Sequence, residues 1–98
     1  MPFKPCRSFV ITGTSAGITR GGHSHRTAQQ MLVCLHGRIE ILMRDSSQEV
    51  TVVLEPNSFG LVFGPGIWCQ QKYLLAGSIL LSFTDEPYDA SSYIQCVP

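Results

Sequence analysis

Two histidines one residue apart, His23 and His25, are the side chains of this sequence best fitted to do chemistry. In an extended strand, residues i and i+2 project from one face, so the two imidazoles are expected side by side, about 7 Å apart by the rise of a strand. Imidazole exchanges a proton near neutral pH and binds transition metals well. The pair therefore suits proton transfer or metal binding, and burying two titratable rings for neither purpose is costly. Arg20-Gly21-Gly22 leads into the pair, and Gln30 and Gly37 follow it.

The elements that must position these residues read as short β-strands cut by turn residues. Strands are expected over Arg7–Thr12, Thr19–His25, Gln30–His36, Arg38–Arg44, Glu49–Leu54, Gly60–Phe63, Trp68–Leu74 and Ser78–Phe83. Gly21 and Gly22 inside the second strand predict a bulge or a close backbone approach. Asp45-Ser46-Ser47 predicts a hairpin between the fourth and fifth strands. Ala76-Gly77 suggests that the last two strands pair with each other, and Ala90–Ile94 is expected as a short helical turn. Many short strands of even spacing with Gly/Pro turns indicate an all-β jelly-roll barrel with a ligand cavity. The 98 residues make one domain with one core.

Composition narrows the partners. Seven Lys and Arg balance seven Asp and Glu, and no basic cluster exists, which argues against nucleic acid or an anionic membrane as the main partner. No apolar run reaches membrane-spanning length, and Met1–Ser8 holds no apolar core of a secretory signal. Cys6, Cys34, Cys69 and Cys96 form no C-x-x-C pair, so free thiols and a cytoplasmic protein are expected. A small anionic ligand needs only one or two local cations and stays open.

Gly17, His23, His25, Gln30 and Gly37 match in spacing the first motif of the cupin jelly rolls, with Gln30 where that motif has Glu. The turn Gly64-Pro65-Gly66 resembles the second motif, and Cys69 stands where its histidine would be. More closely, Arg20-Gly-Gly-His-Ser-His-Arg26, Gln30–Gly37, Pro65-Gly-Ile-Trp68 and Asp85-Glu-Pro-Tyr-Asp89 followed by Tyr93-Ile94 resemble the sugar-nucleotide 3,4-ketoisomerases, the WxcM-like or FdtA-like cupins. The resemblance covers roughly Arg7 to Gln95, and it implies a chain short at its N terminus.

That resemblance implies a metal-free isomerase acting on a dTDP-4-keto-6-deoxyhexose. The carbonyl moves between C4 and C3 through an enediol, with no cofactor. His23 and His25 are implied as the proton-transfer pair, His23 ahead of His25. Arg20 or Arg26 would meet the diphosphate, Gln30, Trp68 and Cys69 would line the substrate site, and the protein would be a homodimer. Two alternatives stand beside this reading: a sugar or nucleotide-sugar binder without catalysis, and a small metallocupin holding a metal through His23, His25 and Cys69. Trp68 reads equally well as a core filler, Cys69 as an inert buried thiol, and His36, before a turn glycine, as a surface residue.

Overall fold

The computed structural model describes residues 2–25, 27–86 and 93–94, with the backbone alone of His23, His25, Tyr93 and Ile94. In chain order the strands are β1 (Arg7–Ile11), β2 (Ile18–His25), β3 (Gln30–His36), β4 (Ile39–Arg44), β5 (Glu49–Leu54), β6 (Leu61–Phe63), β7 (Trp68–Tyr73), β8 (Ile79–Thr84) and β9 (Tyr93–Ile94). Among the described residues there is no helix, and none therefore long and apolar enough to cross a membrane.

The strands form two antiparallel sheets, ordered β1-β8-β3-β6 and β5-β4-β7-β2-β9. The expected jelly-roll pattern of strands is present, but among the described residues the hydrogen-bond ladders do not close into a barrel. Alternation along the strands explains the layering. Leu32 and Cys34 of β3 and Leu80 of β8 meet Ile39 and Ile41 of β4, Leu54 of β5, and Cys69 and Tyr73 of β7 in one core shared by both sheets. Ile39, Ile41 and Tyr73 are wholly buried.

The expected pairing of the last two long strands is overturned. β7 lies between β4 and β2, whereas β8 lies between β1 and β3, in the other sheet. The loop between them is a crossover and not a hairpin turn, and Ser78 anchors it. Its hydroxyl donates to the Leu75 carbonyl at 2.7 Å and accepts the Arg38 amide at 3.2 Å, while its carbonyl accepts the Thr14 hydroxyl at 3.2 Å. The β3–β4 connection changes sheets at the same place. Gly37 there has φ +85° and lies so close that any Cβ would overlap Ser78, so only glycine fits.

The helical turn expected over Ala90–Ile94 is also corrected at its end. Tyr93 and Ile94 extend the second sheet, opposite His25 and Ser24 of β2; residues 90–92 lie outside the described residues. The β4–β5 hairpin holds in full register from Ile39↔Leu54 to Arg44↔Glu49. Asp45 closes it by accepting the Ser47 and Gln48 amides at 2.8 and 2.7 Å, which holds its carboxyl below the ordinary range.

Candidate active site

β2 runs beside β7 with Ile18 opposite Tyr73, Arg20 opposite Gln71 and Gly21 opposite Gln70. The register then shifts, and His23 stands opposite Cys69. Gly22 is thus the extra residue of a β-bulge, the feature the paired glycines predicted. Cys69, Gln71 and Tyr73 are the buried, core-facing residues of β7, with Lys72 exposed between them. Arg20 and His23 are three residues apart, which in a regular strand would put them out of phase. The bulge lets both stand opposite core-facing residues of the neighbouring strand.

Gly21 makes that bulge possible. Its φ is +85°, and a Cβ there would lie 3.1 Å from both the Cys69 carbonyl oxygen and the Gln71 amide nitrogen. A side chain here would have to push β7 back by a few tenths of an ångström, in a backbone conformation that L residues rarely adopt.

Between the sheets, next to this bulge, lies a cavity of about 200 Å³ lined by Phe9, Ile11, Arg20, Gly21, Gln30, Leu32, Gln71, Leu80 and Ser82. By the same measure one water needs only about 10–15 Å³. The cavity is nonetheless smaller than the roughly 300–1,000 Å³ of a pocket that encloses a drug-sized ligand. It holds a group the size of one six-membered ring, with the rest of a larger ligand outside.

Of the residues singled out from the sequence, Arg20 and Gln30 meet in the cavity wall, from opposite sheets. Gln30 is buried, and its amide donates to the Ser82 hydroxyl at 3.4 Å. The side chains of His23 and His25, and all of Arg26, lie outside the described residues. Trp68 is buried but is not in the cavity wall; it stands opposite Arg44, whose guanidinium lies 5.2 Å from the ring centroid. Among the described residues its indole N–H meets no hydrogen-bond partner. His36 is exposed, as expected.

Cys69 is buried beneath this region, and Gln71 donates an amide hydrogen to its sulfur at 3.8 Å. Burial pushes the thiol up to about 12, against the small opposing effect of that hydrogen bond. A thiol so protonated is not a ready nucleophile. Tyr73 is pushed up to about 12 as well, chiefly by burial, while the charge of Arg20 acts the other way. Both groups ionise in the unfolded chain before they do in the folded one. Stability is therefore full below pH 9 and falls as pH rises from the ordinary Cys value of 9.0 toward about 12. Cys69→Ala is expected to flatten that decline, on the order of 4 kcal/mol at its full extent, when urea midpoints are followed across alkaline pH. An unchanged slope in the variant would refute the assignment.

Reading the sequence alone missed Gln71 and Ser82. Gln71 was within reach, since it follows Cys69 at the two-residue period of a strand; Ser82 required the pairing of β8 with β3. It read the Asp85-Glu86 segment only as a chain-reversing loop and a part of the resemblance. These residues clasp the loop that joins β2 to β3. Asp85 Oδ1 accepts the Gln29 amide at 2.8 Å, the Asp85 amide donates to the Gln29 carbonyl at 3.3 Å, and Thr27 donates to Glu86 at 2.7 Å. Asp85→Ala is expected to lower stability by about 1–2 kcal/mol, read as a fall in Tm of about 4–8 °C per kcal/mol. Asp85→Asn, which keeps an acceptor, should recover most of it; equal Tm losses in the two variants would show that this hydrogen bond is not what counts.

The family model described as FdtA: WxcM-like, C-terminal matches residues 1–97. The chain belongs to the WxcM-like family. Solved structures agree with this membership. The chain superposes on the QdtA 3,4-ketoisomerase of Thermoanaerobacterium thermosaccharolyticum, a double mutant in complex with TDP, with a TM-score of 0.92 and 35% identity over 98% of this chain and 70% of that one. The WlaRB TDP-quinovose 3,4-ketoisomerase of Campylobacter jejuni gives a TM-score of 0.90 at 29% identity, over 97% of this chain and 73% of that one. In sequence, the TDP-4-oxo-6-deoxy-alpha-D-glucose-3,4-oxoisomerase of Aneurinibacillus thermoaerophilus is 27% identical over 95 residues, 97% of this chain and 68% of that enzyme. This WxcM-like chain carries His23 and His25 in β2 and Cys69 after Trp68 in β7.

Proposed function

We propose that this chain is a sugar-nucleotide isomerase that moves the carbonyl of a dTDP-4-keto-6-deoxyhexose between C4 and C3. The observation that carries the reading is the cavity beside the β2 bulge, with Arg20, Gln30, Gln71 and Ser82 in its wall, in a fold shared with TDP-sugar 3,4-ketoisomerases. One such structure, of a QdtA mutant 34% identical to this chain, is a complex with TDP-4-keto-6-deoxyglucose.

The chemistry needs only proton movement. The C4 carbonyl acidifies the hydrogen on C3. A base removes that proton, the C3–H electron pair becomes the C3=C4 bond, and the C4 oxygen takes a proton to complete the enediol. Loss of the C3 hydroxyl proton then returns electrons through the double bond, and C4 takes up a proton. Imidazoles with ordinary pKa values near neutrality serve both directions. We assign the base and acid to His23 and His25. Gln30 and Gln71 are neutral groups able to donate to and accept from the sugar oxygens. Arg20, exposed at the cavity wall, is the cation for the diphosphate, with Arg26 as its companion. We keep Trp68 and Cys69 as boundaries of the site rather than as reacting groups.

We further propose a single cupin domain that works in the cytoplasm as a homodimer. Among the described residues β1 is an edge strand, with Phe9 and Val10 38% and 51% exposed, which supports pairing with a second copy. Incubation with dTDP-4-keto-6-deoxyglucose, followed by NMR, tests the activity. Appearance of the 3-keto isomer is expected; binding without conversion would leave a sugar-nucleotide binder, and a stoichiometric transition metal in the purified protein would favour the metallocupin.

A further inference from the structure

Gly22, the extra residue of the β2 bulge, has no partner residue of its own on β7: Gly21 stands opposite Gln70 and His23 opposite Cys69. A bulge sets the aim of the side chain that follows it, so the backbone at Gly22 governs how His23 is presented. The ladder fixes that backbone less tightly than its neighbours, and its lateral support is Trp68. A Cβ on Gly22 would touch Trp68 Cζ2 at 3.7 Å and, among the described residues, nothing else within 4 Å. Trp68 lies on the face of β7 turned away from the core-facing Cys69, Gln71 and Tyr73, yet it is only 7% exposed. Its indole N–H meets no hydrogen-bond partner among the described residues, so packing and charge hold the ring in place. Arg44, directly opposite on β4, lays its guanidinium over that ring, 5.2 Å from the centroid. Glu49, opposite Arg44 on β5, accepts from the guanidinium Nε at 2.6 Å. One row thus crosses four strands on the outer face of the second sheet, from Glu49 through Arg44 and Trp68 to the bulge.

Building on the proposed isomerase activity, we infer that this row is a brace for the catalytic strand. Glu49 fixes Arg44, Arg44 fixes Trp68, and Trp68 keeps the bulge in the conformation from which His23 acts. Arg44 and Trp68 are positioning residues: neither is in the cavity wall, and both act through the backbone of β2. The side chains of Arg44 and Glu49 are 36% and 55% exposed, and an ion pair so exposed adds little to stability. Its effect here is to keep the guanidinium over the indole. A base displaced by a fraction of an ångström loses the geometry of proton transfer, whereas Arg20, Gln30 and Gln71, which meet the ligand elsewhere, stay as they are. The brace therefore acts on kcat and leaves KM nearly untouched.

The experiment compares three variants of the full chain, with dTDP-4-keto-6-deoxyglucose as substrate. Arg44→Met removes the charge and keeps most of the apolar stem; kcat is expected to fall about three- to thirtyfold, with KM within about twofold. Arg44→Lys returns a cation to the ring and should recover most of that loss. Arg38→Met makes the same change in the exposed Arg38–Glu55 pair, 3.3 Å apart and just before β4, and kcat should stay as it was. In amide proton–nitrogen spectra the Gly22 and His23 signals should shift in Arg44→Met and stay in place in Arg38→Met. An unchanged kcat in Arg44→Met, an equal loss in Arg38→Met, or a Lys variant no better than the Met one would overturn the brace and leave the isomerase reading intact. Failure of the unmodified chain to turn the sugar over would overturn the isomerase reading instead. The spectra would then decide the brace by themselves, and unmoved Gly22 and His23 amides in Arg44→Met would overturn it.

Discussion

His23→Asn and His25→Asn each lower kcat for carbonyl migration by about 10²- to 10⁴-fold, the range in which general acid–base residues contribute. Asn keeps a similar size and a hydrogen-bonding group but cannot titrate near neutral pH, so KM is expected to change far less than kcat. The two variants should also remove the near-neutral limb of the kcat/KM pH profile that an imidazole imposes. A kcat within a factor of about three of the unmodified chain would strip the residue concerned of its assigned role, since this is well under 1 kcal/mol of barrier. Loss of kcat in only one variant would reduce the other histidine to a binding residue.

Gly21→Val comes next in expected size, through geometry rather than chemistry. The positive φ at this position is open to glycine and disfavoured for a β-branched residue, at roughly 1–3 kcal/mol. The added Cβ would press on the Cys69 carbonyl and the Gln71 amide, each at 3.1 Å. The carboxamide can swing aside but the backbone carbonyl cannot, so β2 must move away from β7. Stability should fall by about 2–4 kcal/mol as strain and lost packing combine. Because Arg20 and the backbone of His23 are referenced to β7 through this bulge, kcat should fall in protein that remains folded. A variant with unchanged Tm and unchanged kcat would show that the bulge tolerates a side chain and that the close approach is unimportant.

Much of the strand pattern was legible because alternation is a local signal. The Gln30–His36 and Glu49–Leu54 boundaries coincide with the expected ones, and the Asp45 hairpin and the Gly21-Gly22 bulge follow from residue chemistry. Sheet membership was not legible in the same way. The Ala76-Gly77 turn looks like a hairpin, but Ser78 ties its neighbourhood to Arg38, forty residues away in the chain. Nothing local to that loop announces a crossover. The cavity shows the same division. Arg20 and Gln30 lie within a motif of fixed spacing. Gln71 and Ser82 reach the same wall only because β2 pairs with β7 and β8 with β3. A buried serine in an apolar strand reads as a weak strand former until its row partners are known. The Asp85–Glu86 clasp likewise joins segments more than fifty residues apart.

Solvent exchange during turnover tests the proton-transfer account most directly. With dTDP-4-keto-6-deoxyglucose in deuterium oxide, the full chain should place deuterium at C3 of recovered substrate and at C4 of the 3-keto product, while His23→Asn and His25→Asn exchange at background rates. Tight binding of the sugar nucleotide with no deuterium entering either carbon, or exchange undiminished in both variants, would contradict it.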